Sequence, residues 1–411
     1  MGWRKELAGL GTFIILSNAM GSLSVRADES ISGKLTVWEH SITFEMPMEM
    51  LVSGFEEKYP NVDVEWEIWD MENYYDLVSL GIQAGSGPDL FYTDGIARTK
   101  MREYADQGTI LNLTDLVDFS NFDEADLWRE EIDGKCYGVP WLTFDSRIVY
   151  YNVEMFQENN WKIPETFAEF EELLGKIKDT GITPISLTPY DSYSLLFLME
   201  PILTALHPEY AENITEDDTD LLAEPVKEAI QKMLDWAAGG YFGDWTEVLN
   251  GGDQGLNFMS GNAAMNICGS WDATNMQANK PDLKIDAFIL PSNDGSKGLM
   301  GSIASGFSLN AETENRDAAI AFLNYCASLD GQSRWIRAHG GISADESIES
   351  STEITKKIQE QAENNLFTSW EMVMASRSSE AVDIWEKGFV ELFLGKITLE
   401  NLCEQLASVI G

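Results

Sequence analysis

The sequence predicts an α/β protein made of two lobes, and three features of the chain support this prediction. Strand-like and helix-like segments alternate in the first part of the sequence, which favours a parallel sheet covered by helices. The chain has 411 residues, enough for two domains or two lobes of one domain. No linker, internal repeat or low-complexity tract is visible. Several strand crossings, rather than one tether, would therefore join the two lobes.

The first predicted elements follow a β-α-β-α-β order. Residues 34–39 and 62–69 alternate apolar and polar side chains, as half-buried strands do, and 88–95 is predicted to be a third strand. The helical segments between them are 46–58 and 73–87. Ligands of such sheets bind beyond the carboxyl ends of the strands.

The rest of the chain continues the alternation. Strands are predicted within 134–152, 282–291 and 301–310, and helices at 165–181, 223–240 and 316–328, before a helical C-terminal part. The helices at 165–181 and 223–240 are amphipathic and end at glycine, a common C-terminal signal.

The charge of the chain excludes some classes of partner. The formal net charge is −42 and 44% of residues are hydrophobic, which describes an acidic globular protein with ample core. Phosphate backbones repel such a chain, so we expect no nucleic-acid partner. It also lacks the basic patch that anionic membranes attract. The acidic surface favours solubility, and a cationic ligand is an alternative use of it.

The N-terminus has the pattern of a signal peptide. Arg4 and Lys5 precede an apolar run, 7–16, that is too short to span a bilayer, and small residues precede a cleavage site before Asp28. We therefore expect a signal peptide at 1–27 and an exported, soluble mature protein. No cysteine lies between the apolar run and the expected cleavage site, so a lipid anchor is not expected.

The cysteines predict neither a metal site nor a disulfide framework. Cys136, Cys268, Cys326 and Cys403 are far apart in sequence and show no zinc-type spacing. Buried thiols are expected, although an oxidised pair is an alternative in an exported protein. We expect no metal and no other cofactor.

Several stretches carry a family resemblance when they are taken in order. They are LTVWEH with FEEKYPNVDVEWE, QAGSGPDLFYTDG, GTILNLTDLVD, DGKCYGVPWLTFDSRIVYYNVEMFQENNW, FMSGNAAMNICGSWD, GFSLNAETENRDAAIAFLNYCASLDGQSRWIRAHGG and GKITLENLCEQL. Together they resemble the solute-binding proteins of bacterial ABC importers, in the carbohydrate-binding branch that includes maltose-binding proteins.

The resemblance implies a type II periplasmic-binding-protein-like fold, with two α/β lobes, a three-crossing hinge and a ligand cleft between the lobes. It places the crossings near 143–146, 299–302 and 327–330, the N-terminal lobe at 28–144 plus 302–327, and the C-terminal lobe at 145–301 plus 328–411. It also implies a carbohydrate ligand, closure of the lobes on that ligand, and delivery to permease subunits in the membrane by a monomer.

Carbohydrate sites need aromatic planes for the C–H faces of sugars and planar polar groups for their hydroxyls. Trp271 and Asp272 follow an apolar run that ends at Gly269 and Ser270. Trp271 is expected to face the ligand and Asp272 to bind a hydroxyl. The alternatives are a core tryptophan and a helix N-cap.

Residues at two predicted strand ends are further candidates. Trp38, Glu39 and His40 end the first strand and Asp94 ends the third, where the sheet topology places ligands. The alternatives are a surface histidine at His40 and a turn-forming role for Asp94.

The resemblance adds candidates at the hinge and in the C-terminal part. Trp141, Asp145 and Arg147 lie around the first crossing. Trp141 is equally compatible with the core, and for Arg147 the favoured alternative is a structural partner of Asp145. Ser302 and Ser305 lie at the second crossing. Trp370 lies where the family often supplies a stacking aromatic residue.

Other functions stay open on the sequence alone. An exported glycoside hydrolase needs two suitably spaced carboxyl groups, but carboxylates are too common here to indicate one. No nucleophile motif or phosphate-binding loop stands out. The same fold could bind a polyamine through carboxylates and aromatic faces, or a glycerol phosphate, which would need a basic pocket. An adhesin or sensor partner could also use this fold.

Overall fold

The structure is a computed structural model that describes residues 30–69, 73–97, 99–189, 192–215, 219–243, 254–345, 347–350, 352–362 and 365–410. The predicted signal peptide at 1–27 lies outside the described residues. Within the described ranges, no helix is both long enough and apolar enough to cross a membrane.

The strands are short except for two that run through the middle of the molecule. They are β1 (Gly33–Glu39), β2 (Val62–Ile68), β3 (Leu90–Tyr92), β4 (Glu131–Ile132), β5 (Lys135–Cys136), β6 (Val139–Asn152), β7 (Thr183–Ser186), β8 (Ala263–Gly269), β9 (Ile285–Phe288), β10 (Leu299–Leu309), β11 (Ile342–Ser343) and β12 (Leu366–Thr368).

The helices cover both faces of the sheet. They are α1 (Glu45–Lys58), α2 (Tyr74–Gln83), α3 (Thr99–Asp106), α4 (Glu124–Leu127), α5 (Val153–Glu158), α6 (Phe167–Asp179), α7 (Ser192–Leu206), α8 (Pro208–Glu212), α9 (Glu224–Ala238), α10 (Gln254–Met259), α11 (Asp272–Asn279), α12 (Arg316–Cys326), α13 (Leu329–His339), α14 (Glu353–Ala362), α15 (Trp370–Arg377), α16 (Ser379–Phe393) and α17 (Leu399–Ile410). Short 3-10 helices lie at Ile42–Phe44, Gly95–Ala97 and Trp128–Glu130.

The sheet confirms the parallel β-α-β-α-β start of the prediction. Its order is β2-β1-β3-β10-β6-β8-β7, and β1 lies between β2 and β3 with both pairings parallel. The carboxyl ends of β1 and β3 therefore lie at the same edge, which brings the residues after Glu39 and Tyr92 together.

Strand β6 belongs to both halves of the sheet. Its first half, up to Ser146, pairs with β10, and its second half, from Arg147 to Asn152, pairs with β8 and β9. Pro140 lies within this strand beside irregular pairing with β10, which suits a residue that has no N–H to donate. The sequence pattern had suggested two separate strand-like runs here.

Two large apolar cores lie on either side of this division. One contains Leu35, Val37 and Phe91 from the N-terminal strands, and the other contains Leu174 of α6 and Phe389 of α16. A smaller third core surrounds Ile148 and Tyr150 on the second half of β6. The packing therefore separates an N-terminal from a C-terminal part, as the two-lobe prediction requires.

Helix α13 packs differently from the prediction, which assigned 328–411 to the C-terminal lobe. Trp335 of α13 belongs to the N-terminal core and stacks on Trp141, with ring centroids 3.9 Å apart. Ile342 of β11, just after this helix, belongs to the core around Ile148. The chain therefore changes cores after α13, near 340–342, and not near 327–330, because the aromatic face of α13 is buried against the N-terminal part.

The four cysteines all lie in the described residues, and in the structure they are thiols rather than disulfides. Cys136, Cys268 and Cys326 are buried, whereas Cys403 of α17 is partly exposed. This agrees with the expectation of buried thiols for three of the four.

Candidate ligand-binding site

A cleft of about 240 Å³ lies between the two parts of the sheet, at the carboxyl ends of β1 and β3. It is lined by His40, Ser41, Thr43, Phe44, Tyr92, Asp94, Ala97, Arg129, Asp145, Arg147, Phe197, Trp271, Ser302, Glu371 and Met372. Larger grooves of about 750 Å³, 740 Å³ and 460 Å³ are each confined to the C-terminal part. The cleft differs from them because both parts of the molecule contribute to it.

His40 presents its imidazole to the cleft from the end of β1. The ring is stacked on Tyr92, with centroids 4.0 Å apart and planes 14° apart. Its Nδ1 lies 2.5 Å from Oε1 of Glu39, which is fully buried behind it. Because a carboxylate oxygen can only accept, this contact suits the tautomer in which Nδ1 carries the proton.

Asp94 and Arg129 form the polar part of the N-terminal wall. Asp94 accepts hydrogen bonds from the hydroxyl groups of Tyr75 at 3.0 Å and Tyr92 at 2.8 Å. Arg129 lies 3.7 Å from Asp94 Oδ1 and donates to Ser302 Oγ at 3.2 Å. The wall is thus a preorganised network, in which a ligand hydroxyl can find both donors and acceptors.

The crossing of β6 places a carboxylate at the base of the cleft. Burial raises the pKa of Asp145 to about 7, although Arg129 and Arg147 oppose this rise. Glu130, directly behind the cleft, has its pKa raised by burial to about 7 as well, against the opposing effects of a hydrogen bond from Ser305 and the charge of Arg129. In both carboxyl groups the loss of hydration therefore outweighs the stabilising effect of these partners on the charged form.

Arg147 is the first residue of β6 on the C-terminal side. Its guanidinium lies 4.8 Å from the centre of the Phe197 ring, and its Nη1 lies 3.4 Å from Glu200 Oε2. Nη1 also donates to the carbonyl of Asp145 at 3.3 Å. Arg147 is therefore held against the C-terminal wall with its planar group beside the cavity.

Trp271 lies on the C-terminal wall of the cleft, where β8 ends. It is partly exposed, and a Cβ at Gly269 would overlap its indole ring. The indole stacks on His339 with planes 17° apart and meets Phe197 edge-on. The strand therefore ends in glycine because the tryptophan folds back over that position and reaches the cleft.

Half of the sequence-predicted site residues line this cleft: His40, Asp94, Asp145, Arg147, Trp271 and Ser302. Glu39 lies one layer behind, as the partner of His40. Asp272 is the first residue of α11, where its charge suits the helix N-terminus, and it lies outside the cleft lining.

Four predicted site residues lie elsewhere, which corrects the prediction. Trp141 and Trp370 are 1% and 0% exposed, so both are core residues. Ser305 is buried, and its single hydroxyl hydrogen is shared between Glu130 Oε1 and the carbonyl of Thr93. Trp38 packs on Trp69, with ring centroids 5.0 Å apart, outside the cleft lining. In each case local packing or hydrogen bonding directs the side chain away from the cavity.

Several lining residues were not predicted. Arg129 comes from a short 3-10 helix, Phe197 from the middle of α7, and Glu371 and Met372 from the first turn of α15. A usable signal existed only for lining residues within a few positions of a predicted strand end, namely Ser41, Thr43, Phe44, Tyr92 and Ala97. Among the described residues, no cluster of histidine, cysteine and carboxylate side chains could hold a metal ion.

Comparison with known proteins identifies the class of protein that this fold and cleft define. Residues 44–333 match the family model of the bacterial extracellular solute-binding proteins. The match spans more than half of the chain, so the protein belongs to this family, whose members are binding proteins that act outside the cell. The family predicted from the sequence is confirmed.

Several curated relatives match most of the chain. The multiple sugar-binding protein of Streptococcus mutans is 22% identical over 362 residues, 83% of this chain and 82% of the relative. The diacetylchitobiose binding protein DasA of Streptomyces coelicolor is 24% identical over 319 residues, 73% of this chain and 70% of the relative.

Solved structures confirm the fold class. A chitin oligosaccharide binding protein superposes with a TM-score of 0.74 at 22% identity, covering 92% of this chain and 98% of the other. The solute-binding protein RafE in complex with raffinose gives 0.68 at 20% identity, with 92% and 98% covered. The chain therefore has the type II periplasmic-binding-protein-like fold that was predicted.

Proposed function

We propose that the protein captures a carbohydrate, with an oligosaccharide preferred, and delivers it to the permease of an ABC importer. The observation that carries this proposal is the cleft itself. One wall presents the indole of Trp271, and the other presents the network of Asp94, Arg129 and Ser302. An aromatic plane facing fixed donors and acceptors suits the two chemically different surfaces of a sugar ring.

Relatives of the same fold support this choice of ligand. The curated names include a multiple sugar-binding protein and a diacetylchitobiose binding protein, and a solved structure contains raffinose. They do not agree on one sugar, so the proposal extends to carbohydrates as a class and not to a particular linkage.

The proposal includes no catalytic turnover. Asp94 is engaged by two tyrosine hydroxyls and Arg129, an arrangement that holds a carboxylate in place as a hydrogen-bonding group. A hydrolase would need one carboxyl group as acid and another as base or nucleophile across the scissile bond. We propose instead that Asp94 and Asp145 bind hydroxyl groups.

The cleft also fits a closing motion of two lobes. Strands β6 and β10 run from one part of the molecule into the other, and the chain crosses again after α13. We propose that these three segments form the hinge, that the mature protein is an exported monomer, and that the permease recognises its closed form.

A thermal-shift panel tests the proposed function. The mature protein would be heated with maltotriose, raffinose, diacetylchitobiose and xylotriose, and separately with spermidine and glycerol 3-phosphate. A saccharide at ~100 times its Kd should stabilise the fold by roughly 2.7 kcal/mol. Stabilisation by spermidine or glycerol 3-phosphate alone would contradict the proposal.

The same samples test for turnover. After long incubation, the stabilising saccharide would be analysed by chromatography for shorter products. We expect the saccharide to be recovered intact, and catalytic release of smaller sugars would show an enzyme instead.

A further inference from the structure

Glu200 is a buried carboxylate on α7 that lies behind the C-terminal wall of the cleft. It is 0% exposed, and its two oxygens face different elements. Oε1 accepts a hydrogen bond from Ser369 Oγ at 2.6 Å, and Oε2 lies 3.4 Å from Nη1 of Arg147. A buried carboxylate needs such partners, because removing one member of a buried pair leaves an uncompensated charge.

The first partner, Arg147, lines the cleft. Phe197 and Glu200 are three residues apart on α7, so they share one face of the helix, and both contact the guanidinium. Among the described residues, Nε of Arg147 has no hydrogen-bond partner. Nη1 of the guanidinium is therefore ion-paired with Glu200 without a hydrogen bond, and among the described residues donor capacity on the guanidinium is left unused.

The second partner, Ser369, begins another part of the cleft wall. Its Oγ accepts from the backbone N–H of Met372 at 3.4 Å, so it caps α15, and its own N–H donates to the carbonyl of Gly301 at 2.8 Å. The first turn of α15 carries Glu371 and Met372, which both line the cleft. Glu200 thus contacts two separate elements of one binding surface.

We propose that Glu200 is a positioning residue for ligand binding, which aims Arg147 at the bound carbohydrate and holds the first turn of α15 against the same cavity. The inference rests on the proposed function. It assigns to Glu200 an effect on affinity although the residue does not touch the ligand. Without its charge, the Arg147 guanidinium loses the partner that keeps it on the C-terminal wall.

A double-mutant cycle tests the assignment. Wild type, Glu200→Gln, Arg147→Met and the double variant would be titrated by calorimetry with whichever of maltotriose, raffinose, diacetylchitobiose and xylotriose most stabilises the wild type. We expect Glu200→Gln to raise Kd about fivefold or more, and to have little further effect when Arg147 is already replaced, because residues of one network are not additive.

Glu171 supplies the matched control. Its Oε1 accepts from Trp236 Nε1 at 3.0 Å and from Lys232 Nζ at 3.0 Å, in the C-terminal part and outside the cleft lining. Glu171→Gln should therefore lower the melting temperature without changing Kd. If Glu200→Gln does not fold, Glu200→Asp replaces it. This variant keeps the negative charge but moves it away from Arg147 and Ser369, so it should also raise Kd.

The outcomes separate the two proposals. If the wild type binds none of the saccharides, the proposed function fails. If the wild type binds and the Glu200 variants melt earlier with unchanged Kd, as the Glu171 control does, Glu200 has only a structural role and the inference is wrong. The inference is also wrong if Glu200→Gln raises Kd by the same factor in the wild type and in the Arg147→Met variant.

Discussion

The indole of Trp271 lies over Gly269, in space that any side chain on Gly269 would occupy. Gly269 is itself paired with Arg147 across the strands β8 and β6. The pairing of β8 with β6 therefore places the indole of Trp271 and the guanidinium of Arg147 on the same wall of the cleft. This relationship depends on the absence of a single methyl group, and it can be tested directly.

Gly269→Ala should displace the Trp271 ring from the cleft. We expect weaker saccharide binding in calorimetry, by about fivefold or more, since tryptophan is a common binding hot spot. Gly175→Ala on α6 is the control, because its added Cβ would meet no described atom within 4 Å. That change should leave affinity unchanged and stabilise the fold by about 0.4–1 kcal/mol. Unchanged affinity in Gly269→Ala would contradict the role given to this glycine.

Trp271→Ala should mainly lower ligand affinity, whereas Trp370→Ala should mainly lower stability. Trp271 is partly exposed in the cleft, so its removal should weaken binding with a small change in melting temperature. Trp370 is fully buried and donates from Nε1 to the carbonyl of Leu221 at 3.1 Å, so its removal should cost ~3–5 kcal/mol of stability. The account fails if Trp271→Ala lowers the melting temperature as much as Trp370→Ala while the surviving protein binds normally.

The buried carboxyl group of Glu130 should make stability depend on pH. Burial raises its pKa from the ordinary value of 4.5 to about 7. The folded state therefore holds this proton more tightly than the unfolded chain, so the contribution of Glu130 is largest below pH ~4.5 and is lost as the pH rises through ~7. In denaturant titrations, the unfolding free energy of the wild type minus that of Glu130→Gln should fall as the pH rises across this window.

Glu67→Gln, at an exposed position on β2, controls for the loss of one negative charge from the chain. If the difference between wild type and Glu130→Gln is flat or rises between pH 4.5 and 7, the burial assigned to Glu130 is wrong.

Closure of the lobes should be visible in solution scattering. In the structure the two parts touch across the cleft, because Met372 of α15 packs in the N-terminal core while Trp370 of the same helix packs in the C-terminal core. We expect the saccharide-bound protein to match this structure and the ligand-free protein to have a larger radius of gyration. Identical profiles with and without saccharide would argue against an opening hinge.

The sequence was most informative where the topology determines the position of a residue. His40 and Asp94 follow parallel strands that lie side by side, and Trp271 follows a buried strand ending in glycine, so all three reach the cleft as expected. Burial of individual tryptophans was harder to predict. Trp141 of β6 is covered by Trp335, which lies on a helix nearly two hundred residues further along the chain. Arg129 had no local signal, since only the tertiary structure brings it to Asp94.

The lobe boundaries show the same limit. The resemblance placed the third crossing before α13, but the aromatic side chain of Trp335 is buried against the N-terminal core. Amphipathicity predicts that such a helix has a buried face, but it does not indicate which of two neighbouring cores will cover it.

Amide hydrogen exchange with and without the stabilising saccharide tests the central claim most directly, because it locates the ligand on the chain. We expect added protection on both walls of the cleft, in peptides covering 40–44 and 92–97 on one side and 145–147 and 269–272 on the other. Protection confined to a groove of the C-terminal part, such as the loop at 159–165, or to one wall alone, would contradict carbohydrate capture between the two lobes.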